Sequence, residues 1–260
     1  MGLLGSTGNL LHDLIYSRQT VTHWDSSEMK SKTDQIIIIG IGETAEIAYE
    51  YFTHDSPHDV AAFSVDKQYI TSPTFLNLPV IDFNELEHSF SPRDYMVYVA
   101  VSYTQLNRVR TRLYLEAKKK GYTAASYVSS KAFVWRTVEI GENCFIFENN
   151  VIQHGVRLGN NITLWSGNHI GHRTTIHDNC YIASHVVVSG FCTVGENCFI
   201  GVNSCINDRV TIARDCIIGS GAVITRDTEP GRVYVGNPAK PLEKSSFASF
   251  NVKEEPGEVD

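Results

Sequence analysis

The sequence predicts a chain in two parts, a small parallel α/β domain followed by a solenoid of very short strands. Three observations carry this reading. The run "QIIIIGIGETAEIAYEYF" from Gln35 is a buried-strand pattern, a glycine turn and then a helical pattern through Ala45, Ile47, Ala48 and Phe52. From Ile140 to Ile224 every sixth residue is Ile, Leu or Val, fifteen positions with no skipped register. Five of the six cysteines, Cys144, Cys180, Cys192, Cys198 and Cys216, fall two residues before such a position. A period of two puts them on the same inner side of a strand.

In chain order, residues 1–33 are polar and irregular and stand apart as an N-terminal extension. Residues 34–125 form the α/β domain. Further strands are predicted at "DVAAFSV" and "DYMVYVAV", and a helix from Leu106 to Lys120 carries basic residues in its last turn, where they oppose the negative helix end. Residues 126–242 hold the repeat. The position after the aliphatic one is often Gly or Ala, and Asn recurs two beyond it at Asn143, Asn149, Asn161, Asn179, Asn197 and Asn203. Gly and Asn tolerate the left-handed backbone that a sharp corner needs, so each six-residue unit reads as a strand plus a corner. The acidic stretch 243–260 is expected to be disordered.

Composition narrows the function classes. A formal charge of −7 over 260 residues argues against a general nucleic-acid binder. No window approaches the apolar length that spans a bilayer, and the first residues lack a basic region followed by a long apolar one. No CxxC spacing occurs, so the cysteines read as small core residues of a chain in a reducing, cytoplasmic compartment.

The unbroken [LIV]-G-x4 pattern resembles the hexapeptide-repeat acyltransferases, and "VYVGNPAKPL" at 233–242 is similar to the G-N-P-A-K segment that closes the helix in many coenzyme A-dependent members. With an α/β domain placed before the repeat, the span Gln35–Leu242 resembles the sugar acetyltransferases of the bacillosamine, perosamine and sialic-acid type. The resemblance implies a Rossmann-like N-terminal domain that holds a sugar or sugar nucleotide. It implies a left-handed parallel β-helix with three hexads per coil that takes acetyl-CoA. It further implies a homotrimer with the acyl-donor site between neighbouring helices, and no metal.

Site residues follow from the same resemblance. The family's general base corresponds to His172 in "GHRTTI", and its oxyanion donor, a glycine one coil on, to the backbone N–H of Gly190. Where relatives often have an acidic residue after the base, Arg173 stands here, so the group that orients the imidazole is open among His154, Asn168, His169 and Asp178. Asn168 and His169 are expected near the acceptor. Gly40, Gly42 and Glu43 after the first strand, with Asp66 or Lys67, are expected to meet the nucleotide. Asn237 and Lys240 are matched to the donor through the GNPAK segment, and Gly201, Gly219 and Ala239, like Gly190, would let a flat ligand lie along the coils.

The preferred activity is N-acetylation of a nucleotide-linked amino sugar, of the 4-amino-4,6-dideoxy kind, for surface polysaccharide synthesis. O-acetylation of sialic acid or another sugar is the alternative. A metal reading rests on His172 and His177, which match the HxxxxH pair of γ-class carbonic anhydrases, although the position for a third ligand is Asn149. A scaffold without catalysis is the last possibility.

Overall fold

A computed structural model describes residues 34–253, so the N-terminal extension and residues 254–260 lie outside the described residues. The α/β domain runs β1 (Asp34–Ile39), α1 (Glu43–Asp55), β2 (His58–Val65), β3 (Thr74–Phe75), β4 (Leu78–Asp82), α2 (Leu86–Ser89), β5 (Tyr95–Val99) and α3 (Arg108–Lys119). The sheet order is β3-β4-β2-β1-β5, parallel except for the β3–β4 hairpin, a pair too short to show as a strand pattern in the sequence. Alternate residues of β1 point to opposite faces. Ile36 and Ile38 pack with Ala45, Ala48 and Phe52 of α1, while Ile37 and Ile39 pack with Leu113 and Ala117 of α3.

From Tyr127 onward the chain winds into the parallel β-helix that the repeat predicts, left-handed as the resemblance implies. Each hexad contributes a two-residue strand, and each strand pairs in parallel with residues eighteen on, as in Val151↔His169 and His169↔Val187. The aliphatic repeat residue of each strand points inward, and Ile146 through Ile218 form one apolar column system sealed from solvent. The glycine after it is forced by the next coil: a Cβ at Gly171 would lie 2.5 Å from the Ser189 carbonyl carbon, and one at Gly195 2.5 Å from the Arg214 nitrogen. Asn143, Asn161 and Asn179 adopt positive φ (54°, 58° and 62°), and their side chains form a ladder, Asn143 Nδ2 to Asn161 Oδ1 and Asn161 Nδ2 to Asn179 Oδ1, both 2.8 Å.

The inward cysteines take a structural place in this lattice. The thiols of Cys144, Cys180, Cys192 and Cys198 each donate, at 3.1 Å, to the carbonyl of the residue fifteen positions on. Burial pushes the Cys144 thiol up to about 12. All six cysteines are free, and Cys205 alone is only half-buried. The folded protein at pH 8 is therefore expected to react with a thiol reagent only at Cys205, the other five becoming titratable on unfolding in urea. Rapid modification of several thiols in the folded state would contradict this packing.

The residue before each inward aliphatic one points outward, and the three faces differ there. The docking face presents Phe145, Thr163, Tyr181, Phe199 and Ile217; the apolar face Phe133, Val151, His169, Val187, Cys205 and Val223; the polar face Glu139, Arg157, Thr175, Thr193 and Thr211. The α/β domain covers the docking face. Its edge strand β5 meets the helix through Val99 N–H, which donates to Asn143 Oδ1 at 2.8 Å, so the sheet edge is not left open.

Helix α3 lies along the same face and runs against the direction of the coils. Lys118 pairs with Glu142 at 2.6 Å, Arg110 reaches the coils of Asn161 and Cys180, Asn107 Nδ2 donates to Cys198 O, and Arg108 pairs with Asp215 at 2.5 Å. Twelve helical residues span about 18 Å, close to the roughly 19 Å of four coil rises between Glu142 and Asp215. The expected disorder from residue 243 is corrected in part. Ser246–Ser249 form α4, capped by Ser245, and Phe250 packs on Tyr103 and Phe199 because these aromatic rings would otherwise face water.

Candidate active site

His172 stands at the corner between the apolar and polar faces, exposed, with its backbone N–H donating to Gln153 Oε1 at 3.0 Å. Its ring lies over the α-carbon of Gly190, where a Cβ would come within 2.5 Å of Cε1. The imidazole can take this position only because residue 190 has no Cβ. The ring edge also meets the face of Phe191, with centroids 4.9 Å apart at 81°, and the far side of Phe191 carries the Arg209 guanidinium 4.4 Å from its centroid.

At some positions of the same hexad register the backbone N–H is taken by a side chain of the next coil, and at others, His154 and Asp208 at the corner of Gly190 among them, it has no protein acceptor among the described residues. Glu142 N–H donates to Asn160 Oδ1 and Asn160 N–H to Asp178 Oδ1. Gly190 N–H has no protein acceptor among the described residues, so a donor remains beside the imidazole. None of the four residues considered as orienting partners bonds to the His172 ring. His154 Nδ1 is engaged with Thr137 Oγ1 at 2.8 Å, and Asp178 with the Asn160 N–H at 2.8 Å.

Asn168 is corrected outright. It is buried, its amide donates to Trp165 O and its carbonyl oxygen accepts from Val186 N–H at 2.8 Å, so its side chain shapes a corner and is not available to a ligand. His169 lies three residues before the base, half-buried on the apolar face. Phe191 and Gln153, which do touch His172, carried no sequence signal, because a neighbour in the next coil is distant in the chain and neither residue type is distinctive.

In the α/β domain, Gly40 has φ +136°, and a Cβ there would strike Ala100 O at 2.6 Å, so its first role is the close approach of β1 to β5. Gly42 caps α1 with open space around it, and Glu43 is exposed in the first turn. The chain leaves β1 toward β2 and later returns to β5 on its other side, the switch point at which open α/β sheets form a crevice. Lys67 is exposed after β2, whereas Asp66 is held by Arg112 Nη2 at 3.1 Å. A narrow cleft between the domains is lined by Thr44, Ile47, Val101, Trp165 and Tyr181 and borders the corner between the docking and apolar faces.

The donor residues expected along the coils gather at that same corner. Val233–Gly236 and Ala239–Pro241 form an antiparallel hairpin that leaves Asn237 and Lys240 exposed. The reading of Gly201 and Gly219 as flat ledges is corrected: a Cβ at Gly201 would meet Ser220 N at 2.7 Å, and Val235 Cγ1 already covers Gly219. Both are glycines of close packing. Within one chain, then, His172 and Gly190 stand together at one edge of the apolar face, while the cleft, Gly201, Gly219, Asn237, Ala239 and Lys240 lie toward the other. Among the described residues no three His, Cys, Asp or Glu side chains assemble as a metal site.

Comparison with known proteins places this arrangement. The model of the bacterial transferase hexapeptide (six repeats) matches residues 157–190 and 191–226, and that of the hexapeptide repeat of succinyl-transferase matches 137–171. PerB from Caulobacter crescentus, solved in complex with CoA and GDP-perosamine, superposes with a TM-score of 0.72 at 26% identity over 80% of this chain and 97% of its own. The acetyltransferase domain of PglB from Neisseria gonorrhoeae gives 0.70 at 25% identity over 80% and 99%. WeeI from Acinetobacter baumannii shares the fold, with 0.62 at 22% identity over 81% and 100%. No curated protein matches by sequence.

Proposed function

Given that the chain is a hexapeptide-repeat sugar acetyltransferase, we propose that it moves the acetyl group of acetyl-CoA to the amino group of a nucleotide-linked amino-deoxy sugar. His172 takes the proton lost as the amine attacks the thioester carbonyl, and Gly190 N–H receives the oxyanion of the tetrahedral intermediate. Collapse forms the amide and expels the CoA thiolate, to which the imidazolium returns the proton. A neutral imidazole has a nitrogen that accepts a proton and an imidazolium has one to return, so one ring can serve both steps. The observation that carries the reading is the imidazole lying on Gly190 next to an unclaimed backbone N–H.

The nucleoside end of the acceptor is assigned to the α/β crevice near Gly42 and Lys67, and the donor to the hairpin with Asn237, Ala239 and Lys240. PerB with CoA and GDP-perosamine supports both ligand classes. A 4-amino-4,6-dideoxy sugar for surface polysaccharide, made in the reducing cytoplasm that six free cysteines suit, fits these relatives. The test is CoA release from acetyl-CoA over a panel of nucleotide-linked amino sugars. Turnover on free sialic acid alone would instead establish O-acetylation.

We assign the assembly to a homotrimer because the two halves of the site flank the apolar face. Phe133 and Val187 on that face are 53% and 41% exposed, and Trp135 and Phe191 at its border 45% and 39%, a patch that asks for a cover. If three apolar faces turn toward one threefold axis, the donor corner of each chain meets the His172 corner of the next. Val187→Glu is expected to give monomers by light scattering and to abolish acetyl transfer. A trimeric mass for that variant, or an active monomer, would sink the assignment.

A further inference from the structure

One coil toward the N-terminus from the base, the surface opens into a groove of about 450 Å³ lined by Thr137, Glu139, His154, Arg157, Arg173 and Thr175. Arg173, the residue directly after the base, has φ +56°, and its N–H donates to His154 O at 2.9 Å. Its side chain runs back over Gly155, where a Cβ would meet Arg173 Cγ at 3.4 Å. The guanidinium is thus sent away from Gly190 and into the groove. Among the described residues Arg173 makes no ion pair.

The rest of the lining has the same character. Arg157 meets Glu139 only at 3.6 Å, with both side chains about half exposed or more, so its charge is weakly engaged. Thr137 Oγ1 accepts from Gly155 N–H at 3.0 Å and holds His154 Nδ1, which leaves Nε2 as the free ring nitrogen. Two guanidinium groups, an imidazole and threonine hydroxyls stand against one carboxylate. Such a set favours a group with several anionic oxygens, for which the guanidinium fork is suited.

Resting on the proposed function, which puts the thioester carbonyl at Gly190 on the C-terminal side of the ring, the acceptor has the N-terminal side left to it. The geometry points to the groove as the seat of an anionic group of the acceptor, held by Arg173 and Arg157. Two acceptors carry such a group: a nucleotide sugar through its diphosphate, and a free acidic sugar through its carboxylate. On this basis Arg173 is a positioning residue that fixes the acceptor, and its departure from an acidic residue reflects the charge of the ligand.

The experiment titrates the full chain with inorganic pyrophosphate and with glucuronate, using the native protein, Arg157→Gln/Arg173→Gln and the control Arg93→Gln/Lys119→Gln. The control removes equal charge from exposed positions of the α/β domain. Pyrophosphate affinity is expected to fall at least tenfold in the groove variant and to hold in the control. A parallel loss confined to glucuronate would assign the carboxylate source. In turnover, KM for the acceptor should rise at least tenfold with KM for acetyl-CoA within twofold, and Arg173→Lys should recover part of the loss. Equal binding of both probes by native and groove variant, or a rise in the acetyl-CoA KM instead, overturns the proposal. A native chain that acetylates no sugar nucleotide would remove the proposed function, while the two titrations would still decide the groove.

Discussion

His172→Ala is expected to lower kcat by about 10²- to 10⁴-fold, the usual contribution of a positioned base, while leaving the KM for acetyl-CoA and the thermal midpoint close to native. The ring is exposed and makes no hydrogen bond among the described residues, so its loss touches chemistry more than stability. Gly190→Ala separates the two halves of the proposed mechanism. A methyl there keeps the backbone N–H but would lie 2.5 Å from the imidazole, and the ring, being the far end of a side chain, would swing away. A fall in kcat approaching that of His172→Ala, with folding intact, would show that the stacking of ring on glycine positions the base. Native turnover in His172→Ala would remove His172 from the mechanism, and native turnover in Gly190→Ala would show that the contact with glycine does not position the base.

The largest stability effect is expected at Arg110. This guanidinium is 2% exposed and has no carboxylate partner among the described residues; it donates to Thr163 Oγ1 at 2.7 Å, Asn161 O at 3.0 Å, Cys180 O at 3.1 Å and Asn107 Oδ1 at 3.4 Å, and lies by the Tyr181 ring. Burial lowers its pKa, but an arginine stays charged, so the carbonyl dipoles of two coils replace its water. Arg110→Ala removes four charge-assisted bonds and leaves a cavity, with an expected cost of about 3–5 kcal/mol. Arg110→Met fills most of the space and also removes the desolvation of the charge, so its cost should be nearer 1–2 kcal/mol. Urea unfolding followed by tryptophan fluorescence compares the two, since Trp165 sits at the same junction. An Ala variant as stable as the Met variant would show that carbonyl solvation of the guanidinium does not hold the domains together.

Much of the architecture was legible because it is dictated by short-range rules. The six-residue aliphatic period, the corner asparagines and the inward cysteines are each fixed by strand alternation and corner sterics, and the strand and helix of "QIIIIGIGETAEIAYEYF" appear where the pattern puts them. The misses share one cause. Gly201 and Gly219 read as ledges because the sequence does not show what the next turn of the chain places over them, and Asn168 read as a ligand because the Val186 N–H that its side chain accepts from lies one coil on. The aromatic column Tyr127, Phe145, Tyr181 and Phe199 had the same eighteen-residue period and could have announced the docking face. Arg110 could not: two of its partners are main-chain carbonyls, which leave no trace in the sequence, and the other two, Thr163 and Asn107, carry no charge that would announce the pairing.

The coil of three hexads, each face with its own outward chemistry, also limits how such a chain can change length. A duplicated or deleted hexad would preserve every inward aliphatic contact and yet turn all later residues by one face. Placed between Arg173 and Cys180, it would take Tyr181 and Phe199 from the α/β domain and Gly190 from His172. Gain or loss of whole coils, eighteen residues at a time, keeps both where it falls outside the stretch from Glu142 to Asp215 that α3 spans. The gene can therefore lengthen or shorten this domain without losing its fold in steps of six codons, but without losing its site only in steps of eighteen.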